Sequence, residues 1–231
     1  MSSYDQIASE YYLERHITSR NFDSATSGSR LLVERYLPSD GLVLDLGAGR
    51  GRVEEYIGVA PDRIIELDLS AKMLRLSPRG KSQERIQSDA LSLPFKSSSF
   101  SLVAAFLFDP FNKPKLYREI SRVLSPGGMF IGTLPQYEWG KALRKIRGYK
   151  FKVVRFVKNN GEYITLNSFL MSDSTLDLEL SQANMKVMRM DNLCLSPNVG
   201  KISPDVVAPA EFLGLDPKNL PIVKLVLAKR K

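Results

Sequence analysis

The chain predicts an α/β domain: a mainly parallel sheet with helices on both faces. Three observations lead there. Apolar runs of strand length alternate with amphipathic stretches of helix length. The first such run opens into glycines at every second position, and three successive strand ends each carry an aspartate.

Residues 4–37 read as two helices, with Tyr4, Ile7, Ala8, Tyr11 and Tyr12 marking the apolar face of the first. Pro38-Ser39-Asp40-Gly41 breaks the pattern before a buried parallel strand at 42–46. That strand runs into Val43-Leu44-Asp45-Leu46-Gly47-Ala48-Gly49-Arg50-Gly51. Glycines at such a turn reach backbone angles barred to other residues and let a ligand lie against bare main chain. Residues 50–57 read as a helix whose first N–H groups face that ligand. Asp45 would repel a pyrophosphate but suits a ligand with a cationic ammonium or sulfonium. Position 52, where a dinucleotide-binding G-x-G-x-x-G would place its last glycine, is Arg52. Both points lead away from NAD and towards S-adenosylmethionine.

The second strand, 63–67, ends in Asp68-Leu69-Ser70, with Ser70 as the N-cap of a helix holding Met73 and Leu74. A carboxylate at Asp68 sits where a ribose would lie and can accept from both hydroxyls of the diol. A third strand over 85–91 brings Asp89, able to accept from the exocyclic amine of adenine, while Leu69, Met73 and Leu91 would sandwich the ring. Strand four is expected at 100–106. A helix runs from Pro114, near its first turn, to Leu124. Ser125-Pro126-Gly127-Gly128 then turns into strand five at 129–134. A helical stretch at 176–180 precedes strand six at 185–190, and 221–228 is the last strand.

With these motifs together, the chain resembles the class I S-adenosylmethionine-dependent methyltransferases, especially the small-molecule enzymes. The resemblance spans residues 40–134 and includes Leu67-Asp68-Leu69-Ser70, Ser88-Asp89-Ala90, Leu93-Pro94-Phe95 and Ser125-Pro126-Gly127-Gly128. Ser101 departs from it, since relatives carry an aspartate after the phenylalanine. The resemblance implies a Rossmann-like, doubly wound seven-stranded sheet in the order 3-2-1-4-5-7-6, with strand seven antiparallel. It implies one domain over 1–231, with an N-terminal helical cap at 1–38 and a small lid inserted after strand five at 135–170. It also implies that S-adenosylmethionine is held by Asp45, Gly47, Ala48, Gly49, Asp68, Leu69, Met73, Asp89, Ala90, Leu91, Phe106 and Tyr11. The implied reaction is in-line methyl transfer to O or N of a small acceptor.

Composition agrees with that class. At 231 residues and 43% hydrophobic content the chain can bury one sizeable core. A single cysteine, Cys194, and a single histidine, His16, give neither a disulfide framework nor a zinc ligand set. No apolar run reaches membrane-spanning length. Met1-Ser2-Ser3-Tyr4-Asp5-Gln6 lacks a basic-then-apolar leader pattern, so a cytoplasmic location is expected.

The acceptor side is less legible. Asp109-Pro110-Phe111, in the loop after strand four, is one proline short of the D-P-P-Y type motif by which nucleic-acid amino-methyltransferases grip an amine. Asp109 therefore either reaches substrate or organises the turn before Pro110. Tyr12 and His16 share one helical face, and His16 either takes a proton from the acceptor near neutral pH or is a surface residue. In the insertion a basic helix at 137–147 precedes two strands, 151–157 and 163–169, joined by a turn with Asn160-Gly161. Lys141, Arg144, Lys145, Arg147, Lys150, Lys152, Arg155 and Lys158 fall between Glu138 and Glu162 with no acid among them. On a chain of net charge +8 they form either a patch for an anionic substrate, a carrier protein or RNA, or a solvated face. Trp139, Tyr149, Phe151 and Phe156 are spaced as core residues. Two rival functions stay open: an RNA or DNA methyltransferase using the basic lid, and a non-catalytic S-adenosylmethionine-binding protein.

Overall fold

In chain order the strands are β1 (Val43–Leu46), β2 (Ile64–Asp68), β3 (Glu84–Gln87), β4 (Phe100–Ala105), β5 (Leu124–Pro135), β6 (Val153–Val157), β7 (Tyr163–Asn167), β8 (Met185–Leu193) and β9 (Val223–Arg230). The helices are α1 (Ile17–Thr26), α2 (Ser29–Val33), α3 (Val53–Ile57), α4 (Ala71–Leu76), α5 (Pro114–Val123), α6 (Tyr137–Arg147), α7 (Asp173–Gln182) and α8 (Pro204–Leu213). They belong to a computed structural model that describes residues 2–11, 13, 16–77 and 84–231.

Seven strands form one sheet in the order β3-β2-β1-β4-β5-β9-β8, while β6 and β7 pair apart as an antiparallel hairpin. Since the hairpin contributes nothing to the sheet, β8 and β9 are its sixth and seventh strands, and the order is the expected 3-2-1-4-5-7-6. β9 runs antiparallel to both β5 and β8; the remaining pairs are parallel.

Alternation along each strand divides the core in two. Val43, Leu102, Ile131, Leu225 and Leu227 face one side, where residues of α2, α3, α6 and α8 cover them. Leu44, Leu46, Val103, Phe130 and Val226 face the other, under α5 and α7. Leu102 and Val103 are both completely buried on opposite faces. Truncating either to alanine should cost about 1–4 kcal/mol. In α5, Pro114 opens the helix and Leu116, Tyr117, Ile120 and Val123 bury one stripe. α6 starts where the Gln136 side chain accepts from Trp139 N–H (2.9 Å) and stops at Gly148, whose φ of 64° is left-handed.

Two expectations need correcting. The first expected N-terminal helix is a 3-10 turn, Ser3–Gln6, followed by hydrogen-bonded turns to Tyr11; the pairing assigned to Tyr12 lies outside the described residues. So short a segment cannot propagate a helix by itself. Its shape is set instead by Asp5, which caps its own turn through Ser2 N–H (3.0 Å) and accepts from the Ser70 hydroxyl (2.6 Å). The second concerns β3, which stops at Gln87, before Asp89. There Asp89 accepts from Leu91 N–H (2.8 Å), a local turn that competes with the strand. The helix α8 was not expected at all.

A third, smaller cluster roofs the carboxyl ends of the strands. Ile7 and Ala8 of the N-terminal segment pack with Met73 of α4 and with Phe156 and Leu166 of the hairpin. Glu10 ties the hairpin turn down by accepting from Asn159 N–H (2.7 Å). No helix among the described residues is long and apolar enough to cross a membrane.

Candidate active site

Beneath that roof lies a cavity of about 270 Å³. Its floor is the turn after β1. Gly47 has a φ of +73°, and a Cβ there would meet the Phe111 ring at 2.7 Å, so a side chain is excluded by both angle and space. Gly51 serves packing instead. A Cβ on it would lie 2.5 Å from the Glu66 carboxylate of β2.

Asp45, third residue of β1, is only 3% exposed, and its Oδ2 has no hydrogen-bond partner. Burial drives its carboxyl well above the usual range, and the nearby Glu66 and Asp68 charges add to that. Such a group fits a cationic donor, as a ligand ammonium would be. Asp68 accepts from Gly49 N–H (2.9 Å) through Oδ2 and from Ser70 N–H (2.7 Å) through Oδ1. Burial raises its pKa as well, and those backbone donors hold the rise in check. The carboxylate keeps acceptor capacity for a diol hydroxyl. Ser70 also caps α4 by accepting from Met73 N–H (3.1 Å), as expected.

Of the twelve residues expected around the cofactor, eleven line this one cavity: Asp45, Gly47, Ala48, Gly49, Asp68, Leu69, Met73, Asp89, Ala90, Phe106 and Tyr11. Leu91 does not; it packs against the core beneath. Tyr11 stacks on Phe156 of the hairpin (centroids 5.8 Å apart), and burial raises its phenol pKa.

The two residues expected to do acid–base work stand elsewhere. Asp109 is buried but not in the cavity wall. It interacts with the Ser168 hydroxyl and the Arg144 guanidinium, and burial outweighs both, raising its pKa to about 7. Arg144 is itself 4% exposed and donates to the carbonyls of Gly140 (3.1 Å), Phe151 (3.0 Å) and Ser168 (2.9 Å). Together they join the strand-four loop, α6 and the hairpin. His16 precedes α1, stacks on Phe156 at 4.5 Å, and is outside the cavity wall; its Nε2 lies 3.7 Å from Glu10.

The basic stretch is likewise not one open patch. Arg144 is internal, Arg147 pairs with Asp205 (2.6 Å), Lys141 with Glu138 (3.3 Å) and Lys158 with Glu162 (3.1 Å). Lys145 lies over Phe212 and Arg155 over Tyr163. Of the four aromatics expected in the core, Trp139 and Phe156 are buried, Tyr149 is partly covered, and Phe151 is exposed.

Sequence reasoning missed part of the wall: Ser19, Asp23 and Thr26 of α1, Arg52, Tyr56 of α3, and Leu107. Only chain folding brings α1 to the glycine turn, so no local motif marks these residues.

Residues 44–132 match a family model described as "Methyltransferase domain". The chain is 33% identical over 111 residues to the uncharacterized methyltransferase YodH of Bacillus subtilis, covering 45% of this chain and 48% of that one. It is 31% identical over 144 residues to a demethylmenaquinone methyltransferase of Lactiplantibacillus plantarum, covering 55% of this chain and 59% of that one. The chain spans about half the length of the first of these curated relatives. The crystal structure of an S-adenosylmethionine-dependent methyltransferase from Mesorhizobium loti superposes with a TM-score of 0.57 at 19% identity, over 90% of this chain and 100% of that one.

Proposed function

Since the chain belongs, through residues 44–132, to the class I S-adenosylmethionine-dependent methyltransferases, we propose that it methylates an oxygen or nitrogen of a small-molecule acceptor. The observation that carries this is one cavity holding an unpartnered, buried Asp45 oxygen beside a backbone-braced Asp68. Bound S-adenosylmethionine supplies a sulfonium carbon that is already activated, so catalysis needs chiefly alignment of nucleophile, carbon and sulfur.

The residues divide that work. Asp45 accepts from the ammonium, Asp68 takes the ribose diol, Asp89 takes the adenine amine, and Leu69 and Met73 hold the ring. Gly47, Ala48 and Gly49 let the ligand reach main chain, while Phe106 and Tyr11 close the apolar side. The roof of Ile7, Ala8, Phe156 and Leu166 excludes water, which strengthens each of those contacts. Asp109 and His16 act in this scheme as roof supports, one bonded to the lid and one stacked on it.

The test is incubation with methyl-labelled S-adenosylmethionine and a cell extract split into small-molecule, protein and RNA fractions. Label should enter the small-molecule fraction and fall at least about tenfold with Asp68→Ala, a loss of about 1.4 kcal/mol or more. Label confined to RNA or protein, or no transfer at all, would overturn the proposal.

A further inference from the structure

The strand-end acids leave one wall of the cavity without a role. It is formed by Asp23 and Thr26 of α1, Tyr56 of α3 and Leu107 after β4, next to Phe106. Thr26 is 1% exposed, and its Oγ1 has no hydrogen-bond partner. A threonine on a helix can usually return its hydroxyl to a carbonyl one turn back; here the hydroxyl makes no such bond, and Thr26 is one of the residues around the cavity. Leaving such a group unsatisfied is costly, which marks the spot as one where a ligand group belongs.

Its neighbour Asp23 has a side chain only 12% exposed, accepts from the Tyr56 hydroxyl, and faces Arg20 at 3.2 Å and Arg52 at 3.5 Å. A carboxylate offers about four lone-pair positions, so Asp23 can accept from a ligand hydroxyl as well. Tyr56 and Phe106 meet edge to face at 4.9 Å and make the apolar side of the wall. Leu107 holds a left-handed φ of 53° with its N–H fixed on the Thr133 hydroxyl (2.9 Å), backbone strain of the sort that collects at binding sites.

Charge selects the occupant. The Arg20 and Arg52 guanidiniums are balanced by Asp23 and by Glu55, which lies 2.7 Å from Arg52, so this wall favours neither an ammonium nor an anion. We propose that this wall is the acceptor subsite and that it takes an uncharged, largely apolar molecule through a hydroxyl group, which bonds Thr26 Oγ1 and the Asp23 carboxylate. This rests on the chain being a methyltransferase, and it narrows the acceptor atom to oxygen.

Three probes of equal body separate the possibilities: 4-methylphenol, 4-methylbenzylamine and 4-methylbenzoate, each titrated by calorimetry into protein saturated with S-adenosylhomocysteine. S-adenosylhomocysteine itself is titrated first into every variant. The phenol should bind at least tenfold more tightly than either charged probe. Thr26→Val should weaken it five- to tenfold, Thr26→Ser should restore it, and S-adenosylhomocysteine affinity should stay within twofold throughout. Tighter binding of the amine or the benzoate, or of no probe at all, overturns the subsite. So does a Thr26→Val that loses S-adenosylhomocysteine as severely as Asp68→Ala, since the wall would then belong to the cofactor. Failure of the wild-type protein to bind S-adenosylhomocysteine would instead sink the methyltransferase assignment, a separate and distinguishable result.

Discussion

At the scale of single residues, the proposed cofactor binding turns on Asp45. It was legible because a carboxylate inside an otherwise apolar strand run has no packing reason to be there. Burial and the Glu66 and Asp68 charges raise its pKa and favour the protonated form in the empty protein, whereas an ammonium partner favours the ionised form. Ligand binding should therefore release protons. Titrations of S-adenosylhomocysteine in buffers of different ionisation enthalpy, across a pH series, should reveal that release, and Asp45→Asn should abolish it. Asp109 works in another register. Its carboxyl shifts from about 3.9 unfolded to about 7 folded. A group raised in the folded state adds stability fully below the unfolded value and loses it as pH climbs through the folded one. Between pH 5 and 8 that loss is about 2–3 kcal/mol, so urea unfolding of Asp109→Asn should show a smaller decline than wild type over this window. The surroundings of Asp109 were not legible, because its partners, Ser168 and Arg144, lie far along the chain.

Among the elements, the hairpin of β6 and β7 was readable from the Asn160-Gly161 turn, and Gly161 does hold a φ of +86°. What the pattern could not show is that a cation inside a basic run would turn inward. Arg144→Leu leaves the Phe151 and Ser168 carbonyls without their donor inside the fold and should cost about 2–4 kcal/mol. Hydrogen exchange should locate the loosened region in β6 and β7 rather than in the sheet. Uniform loosening would show instead that the lid is not a separable unit. The helix α8 escaped notice because Pro209 sits inside it, although Ser203-Pro204-Asp205 carries a start signal in which Ser203 accepts from Asp205 N–H (3.1 Å). The N-terminal turn was misread for the opposite reason: its apolar spacing suits a helix, but Asp5 is drawn to the start of α4.

For the whole molecule, the topology was accessible because Asp45 and Asp68 lie at or next to the ends of β1 and β2, and Asp89 follows β3 by two residues. The antiparallel placement of β9 came from family likeness alone; no periodicity encodes it. The net charge of +8 invited a nucleic-acid reading, yet the lid cations are largely engaged with Asp205, Glu138, Glu162 and aromatic rings. Mobility shifts with RNA and duplex DNA should accordingly show no retardation at 150 mM salt, a concentration at which about 8 Å of screening applies. Retardation that weakens steeply along a salt series would revive the nucleic-acid acceptor.

The cofactor pocket underlies every functional statement above, so calorimetric titration of S-adenosylmethionine into wild type and Asp68→Ala, with NAD as control, is the most direct test. Binding with a micromolar dissociation constant, weakened at least about tenfold by the substitution (about 1.4 kcal/mol) and absent for NAD, is the expected result. A folded wild-type protein that binds NAD, or that binds S-adenosylmethionine equally well without the Asp68 carboxylate, would contradict it.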